Sequence, residues 1–217
     1  MLDYDLSIRV EETALLVVDM QNGFCHPSGT VGRGKDISLM QAAVPNVEQL
    51  VTACRKAHIP DIWTVQEHYL DDHARISHRI LPHALRNKRG PAAVTRTWDS
   101  AILDELQPYI TQETELIRKH RFSAFFDTRL DTLLRILGIK LLVICGVSTT
   151  LCVETTVRDA YQRDYDVVVV EDAVGMSSRE LHEASLEVMR RYFGVILSTY
   201  EVCALIENPA ETCRIRF

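Results

Sequence analysis

Short apolar segments recur along the chain, and longer segments with helical periodicity separate them. The apolar segments are continuous and rich in β-branched residues, which is typical of strands buried on both faces of a sheet. They predict six strands, at Thr13–Val18, Ile59–Val65, Glu115–Lys119, Lys140–Cys145, Asp166–Val170 and Gly194–Ser198.

Helical patterns fill several of the intervals between these strands. Apolar residues recur at helical spacing in four segments, Val47–Cys54, Leu130–Leu137, Val153–Ala160 and Leu181–Val188. Thr128 is the predicted N-cap and Gly138 the predicted stop of the second helix, and Ser178 is the predicted cap of the fourth. The alternation of strand and helix predicts a three-layer α/β fold, with a Rossmann-like, six-stranded, mainly parallel sheet and helices on both faces.

One segment, residues 68–98, departs from this alternation. It carries six basic residues against two acidic ones, a local balance of +4, and it also contains Pro82, Gly90 and Pro91. We predict a single domain over residues 1–217, with this segment as a basic insertion across the end of the sheet. Two interpretations stay open: a solvated surface loop, or a lid or subunit contact near the site, because long loops of α/β domains often carry function.

Composition narrows the class of protein. The chain has 217 residues, of which 47% are hydrophobic and 25% charged, and its net charge is −6. These values suit an ordinary globular domain with no general electrostatic reason to bind nucleic acid or an anionic membrane. No apolar run approaches the roughly 20 residues of a membrane span, and we expect no secretory signal in the acidic N-terminal segment. The six cysteines form no C-x-x-C pair, so we predict a cytoplasmic protein without disulfides.

Three reactive side chains fall at the ends of predicted strands. Asp19 follows the first strand, Lys119 ends the third, and Cys152 follows the fourth after a short turn, where it is predicted to open the next helix. Ligands of open parallel sheets bind outside the carboxyl ends of the strands, so we expect the acid, the cation and the thiol at one edge. Each residue alone also fits a structural role, as a turn former, a solvated charge or a core thiol.

Together the three residues suggest nucleophilic catalysis. A helix N-terminus and a nearby ammonium both favour a thiolate, which makes Cys152 the candidate nucleophile and Lys119 its electrostatic partner. Asp19 is the candidate acid and base that takes the thiol proton and returns it to a leaving amine. The backbone N–H groups of Ser148 and Cys152 are expected to form an oxyanion hole.

Four segments resemble the isochorismatase-like cysteine hydrolase superfamily in order and in spacing: Thr13–Phe24, Arg118–Phe126, Leu142–Ala160 and Val167–Ala173. The resemblance implies an Asp-Lys-Cys catalytic triad at Asp19, Lys119 and Cys152 and a thioester intermediate. It also implies a cis peptide bond between Val147 and Ser148, and assembly into a homodimer or homotetramer.

The nearest likeness is to the branch that contains the ureidoacrylate, biuret, triuret and N-carbamoylsarcosine amidohydrolases. It is carried by the pair Trp98-Asp99, the stretch Lys119–Phe126 and the segment Tyr192–Gly194. Two positions depart from this branch, because Phe122 replaces its usual Tyr and Arg96 stands where Gly is common.

The candidate substrate pocket combines aromatic walls with polar groups. The resemblance implies three walls, Phe24, Trp98 and Phe122. Gln21 and Asn22 are candidates for orienting a urea nitrogen, since amide side chains both donate and accept hydrogen bonds. A substrate carboxylate is expected to meet a guanidinium of the basic segment, with candidates Arg75, Arg79, Arg86 and Arg96.

A metal site is not predicted. Nicotinamidases of the same superfamily carry an Asp-x-His metal pair after the second strand, where this chain has Gln66-Glu67-His68, and glutamine does not supply the anionic oxygen. Four histidines, at His68, His73, His78 and His83, follow at five-residue spacing. Each step turns about 140° on a helix, so they share no single face. We predict no metal and no other cofactor.

The sequence therefore predicts a metal-independent hydrolase of a linear amide or ureido C–N bond in a small molecule. Two alternatives stay open. One is a nicotinamidase-type amidase with a divergent metal site, and the other is a non-catalytic binding or scaffold protein that retains the fold.

Overall fold

A six-stranded parallel sheet forms the middle layer of the computed structural model, which describes residues 3–69, 91–208 and 212–216. The strands of the described residues are β1 (Asp3–Leu6), β2 (Thr13–Val18), β3 (Asp61–Gln66), β4 (Glu115–Lys119), β5 (Leu141–Val147), β6 (Asp166–Gly175), β7 (Val195–Leu197) and β8 (Cys213–Arg216). The order across the sheet is β4-β3-β2-β5-β6-β7, and all neighbours are parallel.

Helices cover both faces of this sheet. The described α-helices are α1 (Asn22–Cys25), α2 (Ser38–Lys56), α3 (Leu130–Ile136), α4 (Glu154–Tyr161), α5 (Arg179–Tyr192) and α6 (Thr199–Glu207). Side chains of β2 alternate between two fully buried clusters: Leu15 and Val17 pack with α2 and α6, and Leu16 and Val18 pack with α3, α4 and α5. The predicted three-layer fold is confirmed.

The second strand begins two residues later than predicted. Pro60 has no N–H to donate to a strand ladder, and the N–H of Ile59 donates instead to the carbonyl of Cys54 at 2.8 Å, at the end of α2. The regular strand therefore starts at Asp61.

Helix boundaries follow the predicted signals with one shift. Gly138 has a φ of +70° after α3, and the Ser178 hydroxyl accepts the N–H of Leu181 to cap α5, both as predicted. The N-cap position of α3 is Arg129 rather than Thr128. The Thr128 hydroxyl still accepts the N–H of Leu130 at 3.2 Å, because a side chain one residue earlier reaches the same first turn.

The two ends of the chain pair with each other, which the sequence did not indicate. β1 and β8 form a separate antiparallel ribbon, with Leu6 opposite Cys213. Each strand has only four residues, and nothing in a local pattern marks a partner at the other end of the chain.

Most of the basic insertion lies outside the described residues, including Arg75, Arg79 and Arg86. Its described ends are joined by a single bridge between His68 and Val94. No helix of the described residues is both long and apolar enough to span a membrane.

The strand order reverses direction between β2 and β5, and such a switch point leaves a crevice at the carboxyl ends of the strands. Val18 of β2 lies opposite Gly146 of β5. Gly146 has a φ of +110°, and a Cβ there would lie 2.1 Å from the Val18 carbonyl oxygen, so only glycine fits. The turns that follow Val18 and Val147 thus leave the sheet side by side.

Candidate active site

A buried ion pair lies at the carboxyl edge of the sheet. Asp19 follows β2 and Lys119 ends β4, on the two sides of β3. The Lys119 Nζ lies 2.6 Å from Asp19 Oδ2, and neither side chain has any exposed surface. A charge this deeply buried requires a partner, and these two residues supply it to each other.

The ammonium of Lys119 is fully coordinated. Besides Asp19 Oδ2, it contacts Gln66 Oε1 at 2.9 Å and the Arg121 carbonyl at 3.1 Å, which matches its three N–H donors. Burial lowers the pKa of Lys119, but the carboxylate of Asp19 and then the Cys152 side chain outweigh it and raise that pKa above its usual range. Lys119 is therefore a fixed positive charge.

The two oxygens of Asp19 have different surroundings. Oδ1 accepts a hydrogen bond from the Thr64 hydroxyl at 2.7 Å. Oδ2 is buried against the Lys119 ammonium, and among the described residues it accepts no hydrogen bond of regular geometry. The backbone of Asp19 has a φ of +50°, a conformation that costs a non-glycine residue about 1–3 kcal/mol and clusters at functional sites.

Cys152 lies in a wide turn between β5 and α4. Residues Thr149–Val153 form one π-helical turn, closed by a hydrogen bond of 3.2 Å from the Val153 N–H to the Ser148 carbonyl. The sequence predicted that Cys152 opens the next helix. In the structure Cys152 lies two residues before α4 begins at Glu154. The Val147–Ser148 peptide bond is cis.

A buried threonine connects this turn to the segment after Lys119. The Thr156 hydroxyl donates to the Cys152 carbonyl at 2.6 Å and accepts the N–H of Ala124 at 3.0 Å. The thiol and the ammonium thus belong to segments that are hydrogen-bonded to each other.

The surroundings of Cys152 raise the pKa of its thiol. Burial, and next the negative charge of Asp19, raise the pKa of Cys152 to about 12, although Lys119 opposes this. Desolvation thus outweighs the nearby ammonium, which favours the thiolate. The predicted transfer of the thiol proton to Asp19 stays a prediction.

The amide of Gln21 is occupied by the protein itself. Its Nε2 donates to the carbonyls of Gln66 and Ser100 at 3.0 and 2.8 Å, and its Oε1 accepts the N–H of Gln66 at 2.8 Å. These hydrogen bonds connect the turn after β2 to the end of β3, so Gln21 supports the backbone of the site and its amide has protein partners.

The amide of Asn22 has the same kind of role. Its Nδ2 donates to Asp104 Oδ1 at 2.9 Å and to the Trp98 carbonyl at 3.3 Å, and its Oδ1 accepts the N–H of Asp104 at 3.1 Å. The prediction that Gln21 and Asn22 orient a urea nitrogen is not supported, since their buried amides already have partners.

The three predicted aromatic walls lie in different surroundings. Phe24 packs against the apolar cluster on the α2 side of the sheet, and Phe122 against the cluster on the α4 side. Trp98 is 44% exposed and meets the ring of His26 edge-on at 4.9 Å. Trp98 therefore has the exposed aromatic surface that a wall requires.

Arg96 lies away from the triad. It lines a cavity of about 740 Å³ together with Glu67 and Arg118, and no triad residue is among its described lining residues. Side chains alternate along a strand, so Glu67 and Arg118 project to the face of the sheet opposite their neighbours Gln66 and Lys119. This placement does not support Arg96 as a carboxylate clamp beside the thiol.

The predicted lack of a metal site stays a prediction. Gln66 stands where a metal-binding acid was considered, and its Oε1 is used by Lys119. The described residues contain no cluster of three or more His, Cys, Asp or Glu side chains suited to a metal. His73, His78 and His83 lie outside the described residues.

Sequence reasoning missed three residues that hold the triad, Thr64, Gln66 and Thr156. Each is fully buried or nearly so, and each contacts a triad residue through a neutral side chain. The sequence pattern of β3 could have indicated Thr64 and Gln66, because they share with Ile62 the face that packs toward α4. A buried polar residue on an apolar face requires a polar partner.

Comparisons with known proteins agree with this geometry. An Isochorismatase domain model matches residues 13–201. The ureidoacrylate amidohydrolase RutB of Rhizobium rhizogenes is 32% identical over 95% of this chain and 88% of its own length. A cysteine hydrolase structure from Pseudomonas syringae pv. phaseolicola superposes with a TM-score of 0.81 at 26% identity, covering 94% of this chain and 96% of its own.

A structure of N-carbamoylsarcosine amidase from Thermoplasma acidophilum superposes with a TM-score of 0.70 at 25% identity, covering 87% of this chain and 96% of its own. The match of the family model, the fold and the buried Asp-Lys pair beside a cysteine point the same way: the chain belongs to the isochorismatase family of hydrolases.

Proposed function

We propose that this chain is a metal-independent cysteine amidohydrolase that cleaves the C–N bond of a small ureido compound through a thioester on Cys152. The observation that carries the proposal is the buried pair of Asp19 and Lys119, with Cys152 near enough for both charges to act on its thiol.

Acylation begins when Cys152 Sγ attacks the ureido carbonyl carbon. The S–C bond forms while the thiol proton moves to Asp19 Oδ2, and the carbonyl oxygen takes the negative charge. The N–H groups of Ser148 and Cys152 are the proposed donors to that oxygen, and one such donor is worth about 10²–10³ in rate in other enzymes. The positive charge of Lys119 balances the negative charge of the site. Lys119 keeps its own protons, because each N–H of its ammonium is directed at an oxygen of Asp19, Gln66 or Arg121.

The second half of acylation breaks the C–N bond. Asp19 returns its proton to the leaving nitrogen, the amine or ammonia departs, and a thioester remains on Cys152, which for a ureido carbonyl is an S-carbamoyl adduct, a thiocarbamate. Water then gives a proton to Asp19 and adds to the thioester carbon. Collapse of the resulting tetrahedral intermediate expels the sulfur, which recovers its proton from Asp19, and releases the carboxylate or carbamate.

The names of the relatives support the proposed substrate class. The ureidoacrylate amidohydrolase and the N-carbamoylsarcosine amidase are both named for compounds with a carbamoyl nitrogen. The exposed ring of Trp98 offers a flat apolar surface suited to a planar substrate. We place ureidoacrylate-like acids first and biuret-like compounds second.

Metal independence rests on the donor chemistry. Gln66 offers a neutral amide oxygen that Lys119 already uses, so it makes a poor metal ligand. Activation of a water by a metal is also unnecessary for the acylation step, because the nucleophile is the thiol of Cys152.

Ammonia release tests this proposal. The panel is ureidoacrylate, an N-carbamoyl amino acid, biuret, triuret and nicotinamide, each assayed with and without a chelator. We expect turnover of ureidoacrylate or of the N-carbamoyl acid, and we expect it to survive the chelator because no step uses a metal. Ammonia is a suitable readout because a carbamate product also decomposes to ammonia.

Two outcomes contradict the proposal. Turnover of nicotinamide alone, lost with the chelator, indicates a nicotinamidase with a divergent metal site. No turnover of any compound by folded protein indicates a binding or scaffold role.

A further inference from the structure

We infer that Thr64 is a positioning residue that holds Asp19 so that Oδ2 receives the thiol proton. The inference rests on the proposed function and adds a residue to its machinery. It arises from the contacts of a fully buried hydroxyl on β3, next to the strand that carries Asp19.

Thr64 contacts Asp19 through both its side chain and its main chain. Its hydroxyl donates to Asp19 Oδ1 at 2.7 Å. The N–H of Asp19 is shared between the hydroxyl and the carbonyl oxygen of Thr64, each at 3.2 Å from the Asp19 nitrogen. The threonine therefore holds the carboxylate and the left-handed backbone of Asp19 at the same time.

This contact distinguishes the two carboxylate oxygens. A hydroxyl has one proton to donate, and here it goes to Oδ1. Oδ2 is left with the Lys119 ammonium at 2.6 Å. Without the hydroxyl, rotation about the Cβ–Cγ bond of Asp19 is no longer opposed by a hydrogen bond from β3.

The remaining contacts of the ion pair do not replace this one. Gln66, two residues further along the same face of β3, holds the ammonium through Nζ rather than the carboxylate. Among the described residues, Thr64 is the side chain that donates a regular hydrogen bond to the Asp19 carboxylate.

The test compares Thr64→Val with Thr64→Ser. Valine keeps the branched shape and lacks the hydroxyl, whereas serine keeps the hydroxyl and lacks the methyl group. We expect Thr64→Val to lower kcat by about 10- to 100-fold, by analogy with the loss of outer-shell hydrogen bonds that orient metal ligands, with KM little changed. Thr64→Ser is expected to restore most of kcat.

A second readout follows the thiol without substrate. The rate at which iodoacetamide labels Cys152 at pH 8, resolved by peptide mass spectrometry, is expected to fall in Thr64→Val and to recover in Thr64→Ser. If valine prevents folding, Thr64→Ala is compared with Thr64→Ser, because that pair differs by one oxygen atom.

Equal kcat and equal labelling in the valine and serine variants would overturn the inference, even if their thermal stabilities differ. Failure of the proposed function has a different signature. In that case the wild-type protein releases no ammonia from any compound of the panel, while the labelling comparison still reports on Thr64.

Discussion

Replacement of Cys152 by alanine removes turnover of the ureido substrate, with an expected loss of about 10⁴–10⁶ in kcat, as for other covalent nucleophiles. The reason is that water is a weaker nucleophile than the Cys152 sulfur, and its direct attack on the ureido carbonyl forms no covalent intermediate. The measurement is ammonia release at saturating substrate, with enough enzyme to detect the residual rate.

The matched control is Cys203→Ala on α6. Cys203 is a half-buried free thiol that packs beside the core on the α2 side, away from the triad. It is expected to keep wild-type turnover, which separates loss of the nucleophile from loss of any thiol. A Cys152→Ala protein that hydrolyses the substrate at a rate comparable to the wild type would refute the role assigned to this residue.

Replacement of Lys119 by methionine is expected to have the largest effect on stability. It leaves Asp19 fully buried without its countercharge, and breaking a buried ion pair from one side costs about 3–5 kcal/mol. The measurement is the free energy of unfolding from urea titration. Turnover is expected to be lost as well, because the positive charge beside the thiol is gone.

The double variant Asp19→Asn, Lys119→Met is the control for this prediction. It removes both charges, so much of the lost stability is expected to return, while turnover stays absent because the base is missing. Equal stability of the Lys119→Met protein and the wild type would show that the pair does not hold the charges as described here.

The pairing of Asp19 with Lys119 could be predicted because both residues lie at strand ends. Asp19 and Lys119 directly end apolar segments, and parallel topology brings such ends to one edge whatever the loops do. The fold class was equally accessible, since strands buried on both faces have continuous apolar sequences.

The residues around the triad were harder to predict, because their roles depend on side-chain direction. Gln21 and Asn22 lie next to Asp19 in sequence, yet their amides bond to the backbone of other segments. Arg96 is a plausible anion binder by type, but it lies with Glu67 and Arg118 on the opposite face of β3 and β4.

The depth at which Cys152 is buried could not be predicted from the sequence. A sequence shows a nearby lysine and a helix start, both of which favour a thiolate. It does not show the depth of burial, which here outweighs both and raises the pKa of the thiol to about 12. The pairing of β1 with β8 likewise depends on the closed fold, which brings the two ends of the chain together.

The most direct test of the central claim is a rapid-quench mass measurement during a single turnover of the preferred ureido substrate. Excess enzyme is mixed with substrate, and the reaction is quenched in acid at increasing times. The mass of the intact protein is measured by mass spectrometry, and peptide mapping then locates any adduct. The account predicts a transient mass increase equal to the acyl group of the substrate, located on Cys152 and absent from Cys152→Ala. Product formation with no adduct on Cys152 at any quench time would contradict it.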